Sequence, residues 1–217
     1  MAFCTLKKGT TLGYPGAPAV ATITEEIRFA RPGLTLLAGR NGEGKSTLMR
    51  HLCFCQDQKP DQSYRHAYLP EDLLFDPEMR PATIARAVLS SATQKQWFLT
   101  QATETLLPDK AFGTLSKGNK QKVRNLLTIA LAREMDADLL CLDEAMSGLD
   151  YFVRREFWCI IAGEASMRHV VLSLHPDDIC AEPNQILLIC GGKVSRMETM
   201  TSNWLKIEEE MEIRQKR

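Results

Sequence analysis

The rhythm of apolar and polar positions changes near residue 30. From residue 3 to 29 the apolar side chains come in short, partly alternating stretches broken by Gly9, Gly13, Pro15, Gly16 and Pro18. That spacing predicts an antiparallel sheet with tight turns. Beyond the turn at Arg31-Pro32-Gly33, continuous apolar runs take over. Residues 34–38 (Leu-Thr-Leu-Leu-Ala) read as a strand, 39–44 as a glycine-punctuated loop, and a helix follows through Leu48 and Leu52. After a polar stretch at 56–64, a further strand is expected at 66–69. Helix-forming residues fill 81–107, with a break near Ser90-Ser91. Val123, Leu126, Leu127, Ile129, Ala130 and Leu131 give 120–133 the pattern of a half-buried helix running into a strand at 138–142. Another strand is expected at 169–173, a hairpin at 186–194 around Gly191-Gly192, and a charged helix from Trp204 to Arg217.

Strands alternating with helices beyond residue 34 predict an α/β fold. Its sheet is mostly parallel and covered by helices, with an antiparallel part from the N-terminus. The chain shows no internal repeat and no low-complexity segment, and its length suits one large domain.

Composition narrows the function classes. The 217 residues carry 27 basic and 27 acidic side chains and are 44% hydrophobic, which excludes a disordered or collagen-like chain. The zero net charge argues against a surface built entirely for nucleic acid, while leaving room for a local basic patch. The longest apolar runs fall well short of the roughly 20 residues of a spanning helix. The first residues lack a basic-then-apolar leader pattern, so a cytoplasmic protein is expected. Seven scattered cysteines suit reduced thiols better than a disulfide framework. Cys53-Phe54-Cys55 is a close thiol pair that reads either as half of a metal site or as the end of a helix, and no second Cys/His pair stands at ligand spacing.

The most specific signal is Gly39-Arg40-Asn41-Gly42-Glu43-Gly44-Lys45-Ser46, a phosphate-loop pattern placed between an apolar strand and a helix. Glycines let successive backbone N–H groups converge on one anion, and the helix start adds its positive end. Lys45 then reaches the outer phosphates, and Ser46 becomes a magnesium ligand. Such a loop binds a nucleotide but activates no water. The complement stands at Leu139-Leu140-Cys141-Leu142-Asp143-Glu144, where an apolar strand delivers Asp143 to the metal and Glu144 to the attacking water as general base. Taken alone, Asp-Glu after a strand also reads as a helix start that favours negative charge.

With the segments Leu115-Ser116-Lys117-Gly118-Asn119, Ser147-Gly148-Leu149-Asp150 and His175 following in order, residues 10–195 resemble an ATP-binding-cassette ATPase. The resemblance implies ATP and magnesium as ligands, and ATP hydrolysis coupled to transport. Residues 1–60 and 120–200 would form the ATP-binding core, 72–119 a short helical subdomain, and 200–217 a C-terminal helix. Catalysis would fall to Lys45, Glu144 and His175, and metal binding to Ser46, Asp143 and Glu71. Nucleotide binding would fall to Tyr14, Gly39, Asn41, Gly42, Gly44, Lys45, Ser46, Thr47, Ser116, Gly118, Asn119 and Asp150. In this reading Leu115 to Asn119 is the signature segment, and Tyr14 stacks on adenine. Each satellite also has a plainer reading: Ser116 as a helix cap, His175 as a surface histidine, Tyr14 as a loop aromatic.

Four positions depart from the family pattern. Lys117 stands where a second glycine is commonest in the signature, Asn119 where a glutamine is, Glu71 where another glutamine is usual, and Ala145 in place of a frequent proline. A lysine in the signature resembles cassettes of bacterial ABC-2-type peptide, lantibiotic and drug exporters. The resemblance therefore implies a self-dimer closing around ATP, together with a separate transmembrane permease that holds the chain at the inner face of the cell membrane. The alternative is a soluble cassette without a transport role, similar to the iron–sulfur assembly ATPases. Trp97 and Phe98 read either as a docking site for the permease or as packing, and the charged tail as a solvated helix or a dimer contact.

Overall fold

The computed structural model describes residues 2–14, 16–54, 64–70, 72–174, 181–198, 201 and 203–215. Its ten strands are β1 (Ala2–Leu6), β2 (Thr11–Leu12), β3 (Ala21–Ile23), β4 (Ile27–Ala30), β5 (Gly33–Gly39), β6 (His66–Leu69), β7 (Leu139–Leu142), β8 (His169–Ser173), β9 (Gln185–Cys190) and β10 (Lys193–Arg196). The helices are α1 (Lys45–Phe54), α2 (Pro81–Val88), α3 (Ala92–Glu104), α4 (Lys117–Glu134), α5 (Tyr151–Ala165) and α6 (Trp204–Gln215), with a 3₁₀ turn at Phe112–Thr114.

Eight strands form one sheet in the order β2-β3-β10-β9-β5-β8-β7-β6, and β1 pairs with β4 in a separate ribbon. Strands β9, β5, β8, β7 and β6 run parallel, while β2–β3, β9–β10 and β1–β4 are antiparallel. The α/β fold with an antiparallel N-terminal part is therefore the one observed. The N-terminal strands are also joined to the main sheet by the parallel pairing of β3 with β10.

Every residue of β5, β7, β8 and β9 is buried, because helices cover both faces of a parallel sheet. Side chains still alternate between faces. Leu36, Leu140, Leu172 and Ile186 enter a core shared with α4 and α5, whereas Leu37, Cys141, Val171 and Leu187 meet Leu48, Met49 and Leu52 of α1.

The break near Ser90-Ser91 separates α2 from α3, and Ser91 caps α3 through the Gln94 N–H. Glu134 reinforces that corner by accepting the backbone N–H groups of both serines. Helix α5 has no counterpart in the expected elements. Its buried face, Val153, Phe157, Trp158, Ile161 and Glu164, is helical in spacing, but exposed Tyr151 and Phe152 blur the amphipathic pattern. The decisive local signal is Asp150, which caps the helix through the Val153 N–H. Phe98 is fully buried, and Trp97 packs against the same core with the Arg133 guanidinium 4.1 Å from its ring centre.

At the sheet's far end a polar chain lies inside the core. His169 Nδ1 faces the Ala30 carbonyl at 2.6 Å and so carries the proton, leaving Nε2 to accept from Thr35 Oγ1 at 2.7 Å. Thr35 in turn accepts from Gln185 Nε2. Burial lowers the His169 pKa from its ordinary 6.5, and burial lowers that of half-buried His66 likewise. Neutral histidine thus contributes its stability in full above pH 6.5 and loses it as the pH falls below that value, where the unfolded chain takes up protons first. Urea unfolding between pH 7.5 and 5 is expected to show this decline, and His169→Gln to flatten the part that His169 causes.

Candidate functional site

The parallel strands end on one side of the sheet, where side chains leave the core and ligands enter folds of this type. Strand β5 runs into the loop at Gly39. A Cβ there would stand 2.7 Å from the Ile189 carbonyl oxygen, so the β5–β9 approach excludes any larger residue. Gly44 adopts φ +107°, and a Cβ on it would meet the Val20 side chain at 2.8 Å. The loop then turns directly into α1, whose Leu48 N–H donates to the Gly44 carbonyl. Lys45, only 6% exposed, donates to the Gly39 carbonyl at 2.8 Å and the Arg40 carbonyl at 3.3 Å. The Lys45 ammonium thus ties the loop back to the end of β5.

Strand β7 delivers the two carboxylates. Asp143 is buried, and Ser173 at the end of β8 donates its hydroxyl to Asp143 Oδ1 at 2.7 Å. The same Ser173 oxygen accepts the Glu144 N–H at 2.7 Å. Glu144 has φ +51°, a strained conformation for a residue with a side chain, and this hydrogen bond helps hold it. Asp143 Oδ2 is buried with no hydrogen-bond partner among the described residues. Beside it Tyr68 stays protonated: burial pushes the phenol up to about 12, and the Asp143 charge adds to the effect. Ser173 is a functional residue that the sequence reading lacks, because its place beside the two carboxylates follows from the pairing of β7 with β8.

One cavity of about 570 Å³ joins the two halves of the site. Asn41, Gly42, Gly44, Lys45, Ser46 and Thr47 line it together with Lys117, Glu144 and Ser147. Of the sequence candidates, Tyr14, Gly39, Ser116, Gly118, Asn119, Asp143 and Asp150 do not line it. Tyr14 is half exposed and held by a hydrogen bond from Arg50. Ser116 caps α4 by accepting the Asn119 N–H at 3.2 Å, and Asp150 caps α5. Gly118 packs on the 147–150 turn, where a Cβ would fall 2.3 Å from the Gly148 carbonyl oxygen. Asn125 donates to the Ala145 carbonyl at 2.7 Å and so ties down the turn that follows the carboxylates, where proline is absent. Glu71 and His175 lie outside the described residues, as does Cys55, the second half of the thiol pair. Cys53 is buried, and no group of three or more His, Cys, Asp or Glu is placed to hold a metal among the described residues.

The sequence profile described as ABC transporter matches residues 26–147, more than half of the chain. The chain belongs to the ABC transporter family. It corresponds to that family's ATP-hydrolysing cassette. It is 30% identical over 193 residues to the zinc import ATP-binding protein ZnuC of Ruegeria sp., a match covering 80% of this chain and 75% of that one. It is 32% identical over 221 residues to the ATP-dependent lipid A-core flippase of Xanthomonas oryzae pv. oryzae, covering 86% of this chain and 36% of the flippase. A solved structure of the ATP-binding subunit of an ABC transporter superposes with a TM-score of 0.70 over 95% of this chain and 93% of that one; at 21% identity, the likeness speaks for the fold.

Two substitutions probe the cassette's joints. Ser173→Ala removes the hydroxyl that donates to Asp143 Oδ1 and supports Glu144, so it is expected to cost about 1–3 kcal/mol in urea unfolding and to lower ATP turnover. Gly118→Ala drives a methyl into the Gly148 backbone. ATPase activity is expected to fall sharply while the far-ultraviolet circular dichroism keeps its native form.

Proposed function

We propose that the chain is the ATP-binding subunit of an exporter of the ABC-2 type whose membrane-spanning part is a separate polypeptide, and that two copies close around ATP. The observation that carries this reading is the cavity that residues 41–47 of the phosphate loop and Glu144 line together. Backbone N–H groups of 41–45 and the start of α1 bind the phosphates, with Gly39 allowing the strand to turn. On binding, Lys45 exchanges its two carbonyl partners for phosphate oxygens, and Thr47 adds a hydroxyl.

Magnesium fits this site because Asp143 Oδ2 is a buried acceptor without a hydrogen-bond partner among the described residues. Ser46, Asp143 and Glu71 would hold it, with the remaining positions left to water and phosphate. Bound there, the ion supplies neutralisation of charge on the outer phosphates. Glu144 accepts the proton of the attacking water, and His175 contacts the terminal phosphate. Ser116, Gly118, Asn119 and Asp150 meet the ATP of the second copy, and Tyr14, held by Arg50, stacks on adenine. Residues 72–119 form the helical subdomain that faces the permease, between an ATP-binding core of 1–60 and 120–200 and a C-terminal helix at 200–217. The chain thereby sits at the inner face of the membrane, consistent with the lack of any helix long and apolar enough to span it among the described residues.

The lysine-containing signature and the likeness to the flippase support export. The ZnuC likeness favours import. Zinc uptake that falls when the gene is deleted would overturn the export reading, and co-purification of a membrane-spanning polypeptide from detergent-extracted membranes tests the two-chain arrangement. Glu144→Gln is expected to bind ATP as the wild type does, to hydrolyse it at least about 100-fold more slowly, and to elute as a dimer in gel filtration with ATP. Equal hydrolysis rates in the two proteins would remove Glu144 from the role of base.

A further inference from the structure

We propose that Arg50 is the positioning residue of the base site: by fixing the Tyr14 ring to the helix that binds the phosphates, it sets how tightly the cassette holds the adenosine part of its nucleotide. This rests on the reading of Tyr14 as the ring that stacks on adenine. The backbone at Tyr14 is set locally. Leu12, two residues earlier, is fully buried in the same core as Leu48 and Met49 of α1, and the Tyr14 carbonyl accepts the Ala17 N–H at 3.0 Å in a turn. Its side chain has no such support. Tyr14 is 48% exposed and belongs to neither hydrophobic core, so packing does not fix the direction of the ring. Among the described residues the side chain has one polar partner, Arg50, whose Nη1 donates to its hydroxyl.

That contact leaves the ring able to stack. Where a guanidinium lies on an aromatic face in this molecule, as Arg133 does on Trp97, it stands 4.1 Å from the ring centre; Arg50 stands 5.9 Å from the centre of Tyr14. With Nη1 bonded to the hydroxyl, the longer distance puts the guanidinium out beyond the phenolic end, and the flat face stays available to a base. Arg50 is also a fixed post. It follows Ser46 by four residues and Thr47 by three, a spacing that keeps all three on one side of α1, and Leu48, Met49 and Leu52 anchor that helix in the core. One helical turn, about 5.4 Å, thus separates the hydroxyls of the phosphate site from the cation that holds the ring. The planar, permanently charged fork of arginine suits such a tether. A ring oriented in advance loses less freedom when the base arrives, and the saving appears as affinity for the nucleoside.

The test is calorimetric binding of ADP and of inorganic pyrophosphate, which carries the phosphates without the adenosine. Arg50→Met is expected to weaken ADP binding by about fivefold, the equilibrium scale of one net hydrogen bond, and to change pyrophosphate binding by less than about twofold. Tyr14→Phe keeps the ring and loses the hydroxyl, so it is expected to lose the same amount, and the double variant no more than either single one. Unchanged ADP binding in Arg50→Met overturns the proposal, as does an equal loss for pyrophosphate, or a double variant in which the two losses add. Tyr14→Ala separates the two levels. If it weakens ADP binding by about tenfold, the scale of one stacked base, while Arg50→Met has no effect, the role of Arg50 alone falls. If Tyr14→Ala leaves ADP binding unchanged, the stacking reading falls and the proposal with it.

Discussion

A parallel sheet buried on both faces can show polar chemistry only where its strands stop, and that constraint organises this molecule. Along β5, β7, β8 and β9 both faces belong to the core. At one end of the sheet the interior polar groups close on one another, as His169, Thr35 and Gln185 do. At the other end β5 releases the phosphate loop, β7 its two carboxylates and β8 Ser173. The register that places Leu142 beside Leu172 brings Asp143 level with Ser173 one step later. The site is thus a product of strand pairing, and its precision is that of the sheet.

The departures from the family pattern have local structural answers. Ala145 lacks the rigidity of proline, yet Asn125 holds its carbonyl from within α4, and Gln121 donates in turn to Asn125. A hydrogen-bonded chain across two elements does the work that a ring would do in one. Lys117 stands where the family commonly has a residue without a side chain, and its stem lies beside the Gly148 backbone, with Cγ 3.5 Å from where a Cβ would stand.

Much of this was readable before any coordinates. The phosphate loop, the strand ending in Asp143-Glu144 and the break at Ser90-Ser91 are set by local chemistry, because glycine geometry, apolar runs and capping act over a few residues. What the sequence concealed is what depends on meeting across the fold. Ser173 lies 30 positions from Asp143, and nothing near it in the chain hints at a shared hydrogen bond. Helix α5 was hidden by Tyr151 and Phe152, exposed aromatics that spoil an otherwise regular buried face. Tyr14 was placed by order along the chain, and its partner Arg50, 36 residues away, could not be read at all.

The contact between Gly118 and Gly148 has a mechanical meaning. Two backbones that leave no space for a methyl group have no slack between them, so a push on the first turn of α4 is passed straight to the turn beginning at Ser147. That turn starts three residues after Glu144, and its first N–H is bonded to the Glu144 carbonyl. The start of α4 and the carboxylate-bearing edge of the sheet are therefore joined like the two arms of a rigid crank, and a load taken up at one arm is delivered to the other without a compliant joint between them.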